Sequence, residues 1–294
     1  MMNMYYKWKG KNALRGNWQT AMVVAFFSGI FLVLTQVYQN RFMPVAIELI
    51  DGMYYWRFPQ ISQGVWIGFA VLQLCSVLLT PVLSVSCNHY FVRRVEGEEL
   101  GTKGLFSRMN LMGKSLWLYV MMYVKIFLWT ILLVVPGLIA AIRYSMAPYL
   151  LAEHPEMTAK EALEESKRIM KNRKGQYFLL LLSFIGWSLA SNLLQLSLMS
   201  ISGIAAIVAG LFVNCWVSAY VNASVAVFYK TVSEDGGEEK ARQDWERIMQ
   251  NMQNGVNFPG NPWNGPDDDD SGDHFVIQHA HNTSDSGADR ENLS

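Results

Sequence analysis

The sequence predicts an all-α membrane protein: six transmembrane helices with a central Pro-Gly helical hairpin, then a disordered acidic C-terminal tail. Three observations carry that expectation. Only 16% of the 294 residues are charged while 51% are hydrophobic, and soluble domains average about a quarter charged. Six apolar runs approach the roughly 20 residues that a bilayer-spanning helix needs. The charge is also divided along the chain. Residues 1–230 hold 20 Lys and Arg against 10 Asp and Glu, and residues 231–294 hold 4 against 14. The formal neutrality is the sum of a basic body and an acidic tail. The division predicts an integral membrane domain over 1–231 and a largely disordered tail over 232–294.

The apolar runs are Trp18–Tyr38, Val65–Val92, Leu116–Val135, Gly137–Ala152, Tyr177–Leu198 and Ile201–Tyr229. The first exceeds twenty residues and lacks a small-residue cleavage site, which predicts a retained span rather than a cleaved signal peptide. The fourth is short and follows the third across Pro136-Gly137, so 116–152 reads either as one kinked span or as a helical hairpin. Loop charge decides between them. Lys7, Lys9, Lys11 and Arg15 precede the first run; Arg93, Arg94, Lys103, Arg108 and Lys114 lie in 93–115; six cations lie in 153–175. Basic-rich loops belong on the cytoplasmic side, and only six spans with both termini inside put all three there. Pro136 lacks a donor and Gly137 tolerates a sharp turn, so the pair is expected to close the hairpin.

Between the fourth and fifth runs, Thr158 and Glu161 form a capping box, with Met157 and Ala162 at the staple positions. Ala159, Ala162, Leu163, Ser166, Ile169 and Met170 then recur at helical spacing opposite Lys160, Glu164, Lys167, Lys171 and Lys174. Two readings stand: an interfacial helix with its basic face on anionic lipid headgroups, and a connector packed on the protein itself. In the last run Ser202, Ala206, Gly210, Asn214, Ser218, Asn222 and Ala226 repeat every fourth residue. The stripe reads as a packing seam, since small residues let helices approach closely in lipid; a pore lining is the alternative. Past Ser233 the chain is polar, apart from an island at Glu238–Asn254 with Trp245, Ile248, Met249 and Met252 at helical spacing. The island reads as a docking segment for a protein partner or for the chain's own loops, or as a marginal helix.

The chemistry is bounded by a census of charge. No acidic residue falls within the six runs, whereas proton-coupled transporters and aspartyl intramembrane proteases use a carboxylate at membrane depth. His89 and His154 lie near span ends, so a His-activated nucleophile in the bilayer has no support. The expected protein is not an enzyme. Cys75, Cys87 and Cys215 match no metal or disulfide pattern, no cofactor is expected, and no nucleic-acid module is recognisable. Asp267, Asp269, Ser271 and Gly272 fit the start of a calcium loop, yet Gln278 stands where a bidentate Glu is required, so a solvated acidic run is expected. Two cations do lie within spans, Lys125 and Arg143. A central cation costs about 2.5–3.5 kcal/mol on insertion scales. Either the two hold an anion such as a lipid phosphate, or they snorkel to backbone and amide oxygens.

The run from Phe127 to Glu153, including Pro136-Gly137, Arg143-Tyr144 and Pro148-Tyr149, resembles the bacterial integral membrane family called domain of unknown function 975. Its continuation through Pro155, Met157, Glu161-Ala162, Ser166-Lys167 and Met170 to Trp187 is similar, as are Trp18 and Phe228-Tyr229 at the ends. The resemblance covers roughly residues 10–232. It implies six helices in the bacterial cytoplasmic membrane, no established activity, and structural roles for Trp18, Pro136, Gly137, Tyr144, Pro148 and Trp187. A looser similarity links the Pro-Gly, Arg, Pro and Glu161-Ala162-Leu163-x-x-Ser166 pattern to the membrane domain of some glycerophosphodiester phosphodiesterases, without their catalytic domain. The chain departs from the family at Lys171-Asn172-Arg173-Lys174, where members carry Gly-Asn-Lys, and at Ala219-Tyr220, where they carry Pro-Tyr. The leading expectation is a non-enzymatic accessory or scaffold acting through its loops and tail. The alternative is a transporter, channel or lipid-handling protein using Lys125, Arg143 and the broken 116–152 hairpin.

Overall fold

The computed structural model describes residues 2–42, 46–50, 53–57, 61–199 and 203–254. Among the described residues, five helical runs are long and apolar enough to cross a membrane: Gln63–Val95, Thr102–Leu132, Val134–Glu153, Lys174–Leu194 and Ala209–Ser233. The pair α2 (Trp18–Ser28) and α3 (Ile30–Phe42), bent by 57°, makes a sixth when counted as one broken span rather than a re-entrant loop. The chain is a multi-pass helical membrane protein.

The first apolar run, Trp18–Tyr38 in the sequence, is divided by a bend at Ser28-Gly29. Ser28 Oγ donates to the Ala25 carbonyl at 2.8 Å, and such Ser/Gly pairs are a known cause of sharp kinks. Between α3 and α4 (Gln63–Val95) a hairpin of β1 (Ala46–Ile50) and β2 (Met53–Arg57) pairs antiparallel, with Ile50 opposite Met53. It is an addition to the otherwise helical architecture.

The expected hairpin is present, but its turn is not Pro136-Gly137. Helix α5 (Met112–Leu132) ends and α6 (Val134–Tyr144) begins around Leu133, which is extended at φ −162°, ψ 145°. Pro136 lies in the first turn of α6, where its missing N–H leaves no intrahelical bond unmade. Gly137 has a packing role instead: a Cβ there would lie 2.8 Å from the Thr130 Cα, so only glycine lets α6 lie this close to α5. A break at Ser145-Met146 separates α6 from α7 (Ala147–Glu153), and Pro148 again occupies the first turn.

Helix α8 (Ala159–Ile169) has the capping box that its sequence predicts, with Thr158 N donating to Glu161 Oε2 at 2.8 Å and Glu161 N to Thr158 Oγ1 at 3.3 Å. Its apolar face (Ala159, Ala162, Leu163, Ser166 and Ile169) is buried, and α8 packs on α5, α6 and α7. The connector reading therefore holds, since no apolar face is left for a membrane. Asn172, with φ +66°, ends this segment before α9 (Lys174–Met199), in the left-handed conformation that Asn tolerates.

The stripe expected on α10 (Gly203–Ser233) is only partly its seam. Gly210 and Ala226 are buried but Asn214 is exposed, and Ser202 and Ala206 lie outside the described side chains. The buried face runs instead through Ala219, Ala223, Ser224 and Ala226. Against it lies α1 (Met2–Ala13), a helix that the sequence reading did not anticipate. A Cβ on Gly10 would meet Ser224 N at 2.9 Å, which is why the two helices approach so closely. Helix α11 (Gly237–Gln253) coincides with the apolar island and docks on α1 and α10. The remainder of the expected tail, including the calcium-like run, lies outside the described residues.

The ends of α4, α7 and α10 meet at one polar end, where Lys230 reaches Glu96 and Glu153, with α8 packed on α7 and α11 on α10. Packing is dense there: every buried residue of α4 lies between Pro81 and Arg94, while Phe127–Val135 at the far hairpin tip are all exposed. Lipid is as apolar as leucine, so nothing drives the outer halves together.

Gly137→Ala should lower stability by roughly 1–3 kcal/mol through overpacking against Thr130, read as a lower midpoint of thermal unfolding in detergent. The backbone N–H of Thr158 holds the Glu161 carboxyl below the usual carboxylate range. A depressed carboxylate stabilises above its unfolded pKa and loses that contribution as pH falls through the folded value. Glu161→Ala should accordingly lower the melting temperature at neutral pH, with the gap closing on acidification.

Candidate functional site

The polar end holds an ion network assembled from three span ends. Lys230, in the last turn of α10, faces the negative end of its own helix dipole. Its Nζ lies 2.7 Å from Glu96 Oε1, 3.1 Å from Glu153 Oε1 and 3.6 Å from Glu234 Oε1. Tyr229 donates its hydroxyl to Glu153 Oε2 at 2.7 Å and stacks on Tyr149 at 5.2 Å between centroids. Arg93 continues the network to Glu96 at 3.3 Å and Glu98 at 3.1 Å. A cavity of about 320 Å³ opens beside it, lined by Arg93, Leu150, Glu153, His154, Tyr229 and Lys230 among others. Glu96, Glu153 and Glu234 share one ammonium, so the network is a cross-brace between α4, α7 and α10. Among the described residues no group of three or more His, Cys, Asp or Glu side chains is placed to hold a metal ion.

Further ties secure the layer above. Buried Arg94 donates to the Ala13 carbonyl at 3.0 Å and the Arg15 carbonyl at 3.4 Å, closing the end of α1. Arg173 pairs with Glu238 and donates to the Val232 carbonyl at 3.4 Å, so α8, α10 and α11 share one guanidinium. Tyr5 meets Trp245 edge-on at 6.4 Å, and Tyr6 meets Phe228 at 5.3 Å. Burial, reinforced by Asp244 beside Tyr5, pushes the Tyr5 phenol up; burial, with Glu238 nearby, does the same to Tyr6. Lys7 reaches α9, donating to the Ser183 carbonyl at 3.1 Å over the Phe184 ring, and its burial lowers the ammonium's pKa.

The residues singled out from sequence fall into two places. Trp18 and Trp187 both pack on Trp216, Trp18 stacked at 5.7 Å and Trp187 edge-on at 5.6 Å. They form an aromatic joint between α2, α9 and α10. Pro136, Gly137, Tyr144 and Pro148 belong to the α5–α7 segment with Lys125 and Arg143. Lys125 is half-buried, with its Nζ 5.4 Å from the centroid of the Tyr144 ring. Arg143 is half-buried, and its carbonyl accepts from Ser166 Oγ at 2.9 Å. Measured from Leu133, Lys125 lies about 12 Å and Arg143 about 15 Å along their helices. A turn at Pro136-Gly137 would have set them at about 16 and 10 Å; the turn at Leu133 brings them nearly level.

Sequence reasoning missed Glu96, Glu153 and Lys230 as partners. The signal that existed was a lone Lys in the last turn of a span, yet sequence cannot say which distant carboxylates meet it.

Among known proteins, the model of the family described as "Protein of unknown function (DUF975)" matches residues 130–236. This is narrower than the resemblance read from sequence and runs from the end of α5 to the corner before α11. Glu153, Tyr229 and Lys230 fall inside it, as do Arg143, Tyr144 and Trp187. The similarity to the phosphodiesterase membrane domain is not shown. No curated protein and no solved structure matches.

If the brace acts as a unit, Lys230→Met and Glu153→Gln should each destabilise by roughly 1–3 kcal/mol, and the double variant by clearly less than their sum. The coupling is read from a cycle of thermal or denaturant unfolding midpoints.

Proposed function

We propose that the chain, whose residues 130–236 match the model of a family of unknown function, is a non-enzymatic accessory or scaffold protein of the bacterial cytoplasmic membrane. Both termini face the cytoplasm in this reading, and partners are engaged through the polar-end layer and the acidic tail. The observation that carries it is the platform made by α1, α8 and α11. These three helices lie outside the spans, and each has its buried face satisfied by the protein. The outward faces of α8 and α11 are therefore spare, with Lys160, Lys167, Glu239, Arg242 and Arg247 exposed. The basic loops that meet at this end support a cytoplasmic orientation. Residues 255–294 follow α11 in sequence and carry 8 Asp and Glu against one Arg, which suits a basic or hydrogen-bonding protein partner.

Purification of the full chain in mild detergent should yield a protein partner that is lost when residues 255–294 are removed and α11 is kept. Reconstituted solute transport that survives this truncation, with no such partner recovered, would falsify the scaffold reading. A reporter fused after Ser294 should read as cytoplasmic.

A further inference from the structure

The geometry points to the α5–α6 hairpin as a re-entrant wedge: an apolar surface that enters only the leaflet on the α8 side and turns back inside the bilayer, with acyl chains as its partner. Helix α8 sets the level of the membrane surface. Lys160, Glu161, Glu164, Glu165, Lys167 and Arg168 make six of its 11 residues charged, so it stays in water or among headgroups. Yet α8 packs on α5 and α6, and Ser166 Oγ donates to the Arg143 carbonyl at 2.9 Å. Lys114, in the first turn of α5, donates to the Pro155 carbonyl at 2.6 Å, just ahead of α8. The last turn of α6 therefore lies at the surface. From Arg143 back to Leu133 is ten residues, about 15 Å, only half of a hydrocarbon core about 30 Å thick.

A second ruler gives the same result. Tyr119 Oη donates to Ser84 Oγ at 2.6 Å, which fixes α5 beside α4. From that level α4 continues from Ser84 to Gln63, 21 residues or about 31 Å. Helix α5 continues from Tyr119 to Leu132, 13 residues or about 20 Å. The tip of the hairpin stops about 12 Å short of the start of α4.

The composition of the hairpin suits a tip in lipid. Residues 126–142 carry no charge, and 127–135 are all exposed. A tip emerging in water would present Leu132, Leu133, Val134 and Val135 to it. Thr130 turns its hydroxyl back onto the Ile126 carbonyl at 2.8 Å. Lipid demands that backbone groups be paired within the protein. Leu133 N donates to the Trp129 carbonyl at 3.1 Å and Gly137 N to the Leu133 carbonyl at 3.2 Å, while Pro136 has no N–H to leave unpaired. Lys125, with the Tyr144 ring 5.4 Å from its Nζ, and Arg143 then stand at the surface end of the wedge. Lys, Arg and Tyr side chains turn their polar heads to water at such interfaces, so neither cation needs an acid inside the bilayer. Four crossings remain, by α2–α3, α4, α9 and α10. Removing two crossings leaves both termini on one side, so a reporter after Ser294 does not test the wedge.

The test is the depth of spin labels on the full chain in liposomes of phosphatidylcholine and phosphatidylglycerol, read from collisions with oxygen and with a water-soluble nickel chelate. Labels go on Val124→Cys, Phe127→Cys, Ile131→Cys and Ile139→Cys, all at exposed positions, after Cys75, Cys87 and Cys215 are replaced by alanine. Depth should increase towards the tip, with Ile131→Cys about 10 Å deeper than Val124→Cys and out of reach of the nickel chelate. A hairpin that crosses the bilayer gives the opposite order, with Val124→Cys deepest and Ile131→Cys open to the chelate, and that result overturns the wedge. Should the cysteine-free chain not fold, Val134→Asp in the otherwise unaltered chain decides the matter. Its carboxylate would sit near the middle of the bilayer, where charge is costly, and the thermal midpoint in liposomes must fall; a midpoint equal to that of the parent chain overturns the wedge as well.

Discussion

Lys230 is the interaction on which the arrangement of the bundle rests. One ammonium at the end of α10 meets Glu96 beyond α4, Glu153 at the end of α7 and Glu234 beyond α10 itself. Those carboxylates are close enough to repel one another without it. Stripping water from charged groups is costly, and a shared, well-aligned counter-ion repays that cost only when the geometry is kept. Tyr229 and Tyr149 keep it by packing beside Glu153. The span ends are thus joined where the medium turns polar, at the one level of the protein where ionic ties and hydrophobic burial both operate.

The rest of the architecture follows from that location. Around the brace, apolar burial holds α8 and α11 on the bundle and α1 along α10, with Tyr5, Tyr6, Leu163 and Trp245 inside. Below it, lipid removes the incentive for helices to associate, and contacts persist only where shape or aromatic stacking supplies them. Gly137 against Thr130 and the joint of Trp18, Trp187 and Trp216 are two such places. The molecule is densely packed at its polar end and open in its apolar half.

Much of the fold was legible in the amino-acid sequence alone. The helical membrane class, the hairpin and the α8 capping box follow from short-range signals: hydrophobic run length, loop charge and a Thr-x-x-Glu pattern. The failures are equally physical. The turn moved from Pro136-Gly137 to Leu133 because Pro fits the first turn of a helix as well as it fits a turn, and because Gly137 was needed for contact rather than for bending. The β-hairpin could have been inferred from Asp51-Gly52 between Ala46–Ile50 and Met53–Arg57, an Asp-Gly turn signature. Helix α1 could not have been: its sequence shows little amphipathic pattern, and it is held by Gly10 on Ser224 and by Arg94 on its final carbonyls. Of the candidate residues, Lys125 and Arg143 were visible as misplaced charge. Glu96, Glu153 and Lys230 resembled ordinary loop and span-end charges.

By itself the sequence determined the medium, the positions of the apolar runs, the expected orientation and the absence of acids from those runs, because each depends on composition within a window of some twenty residues. Only the tertiary structure decided which carboxylates Lys230 would meet, whether α8 lay on lipid or on protein, and where the α5–α6 hairpin turns. Those outcomes depend on contacts between residues far apart in the chain, 134 positions in the case of Glu96 and Lys230. Such contacts leave no periodic trace in a single chain.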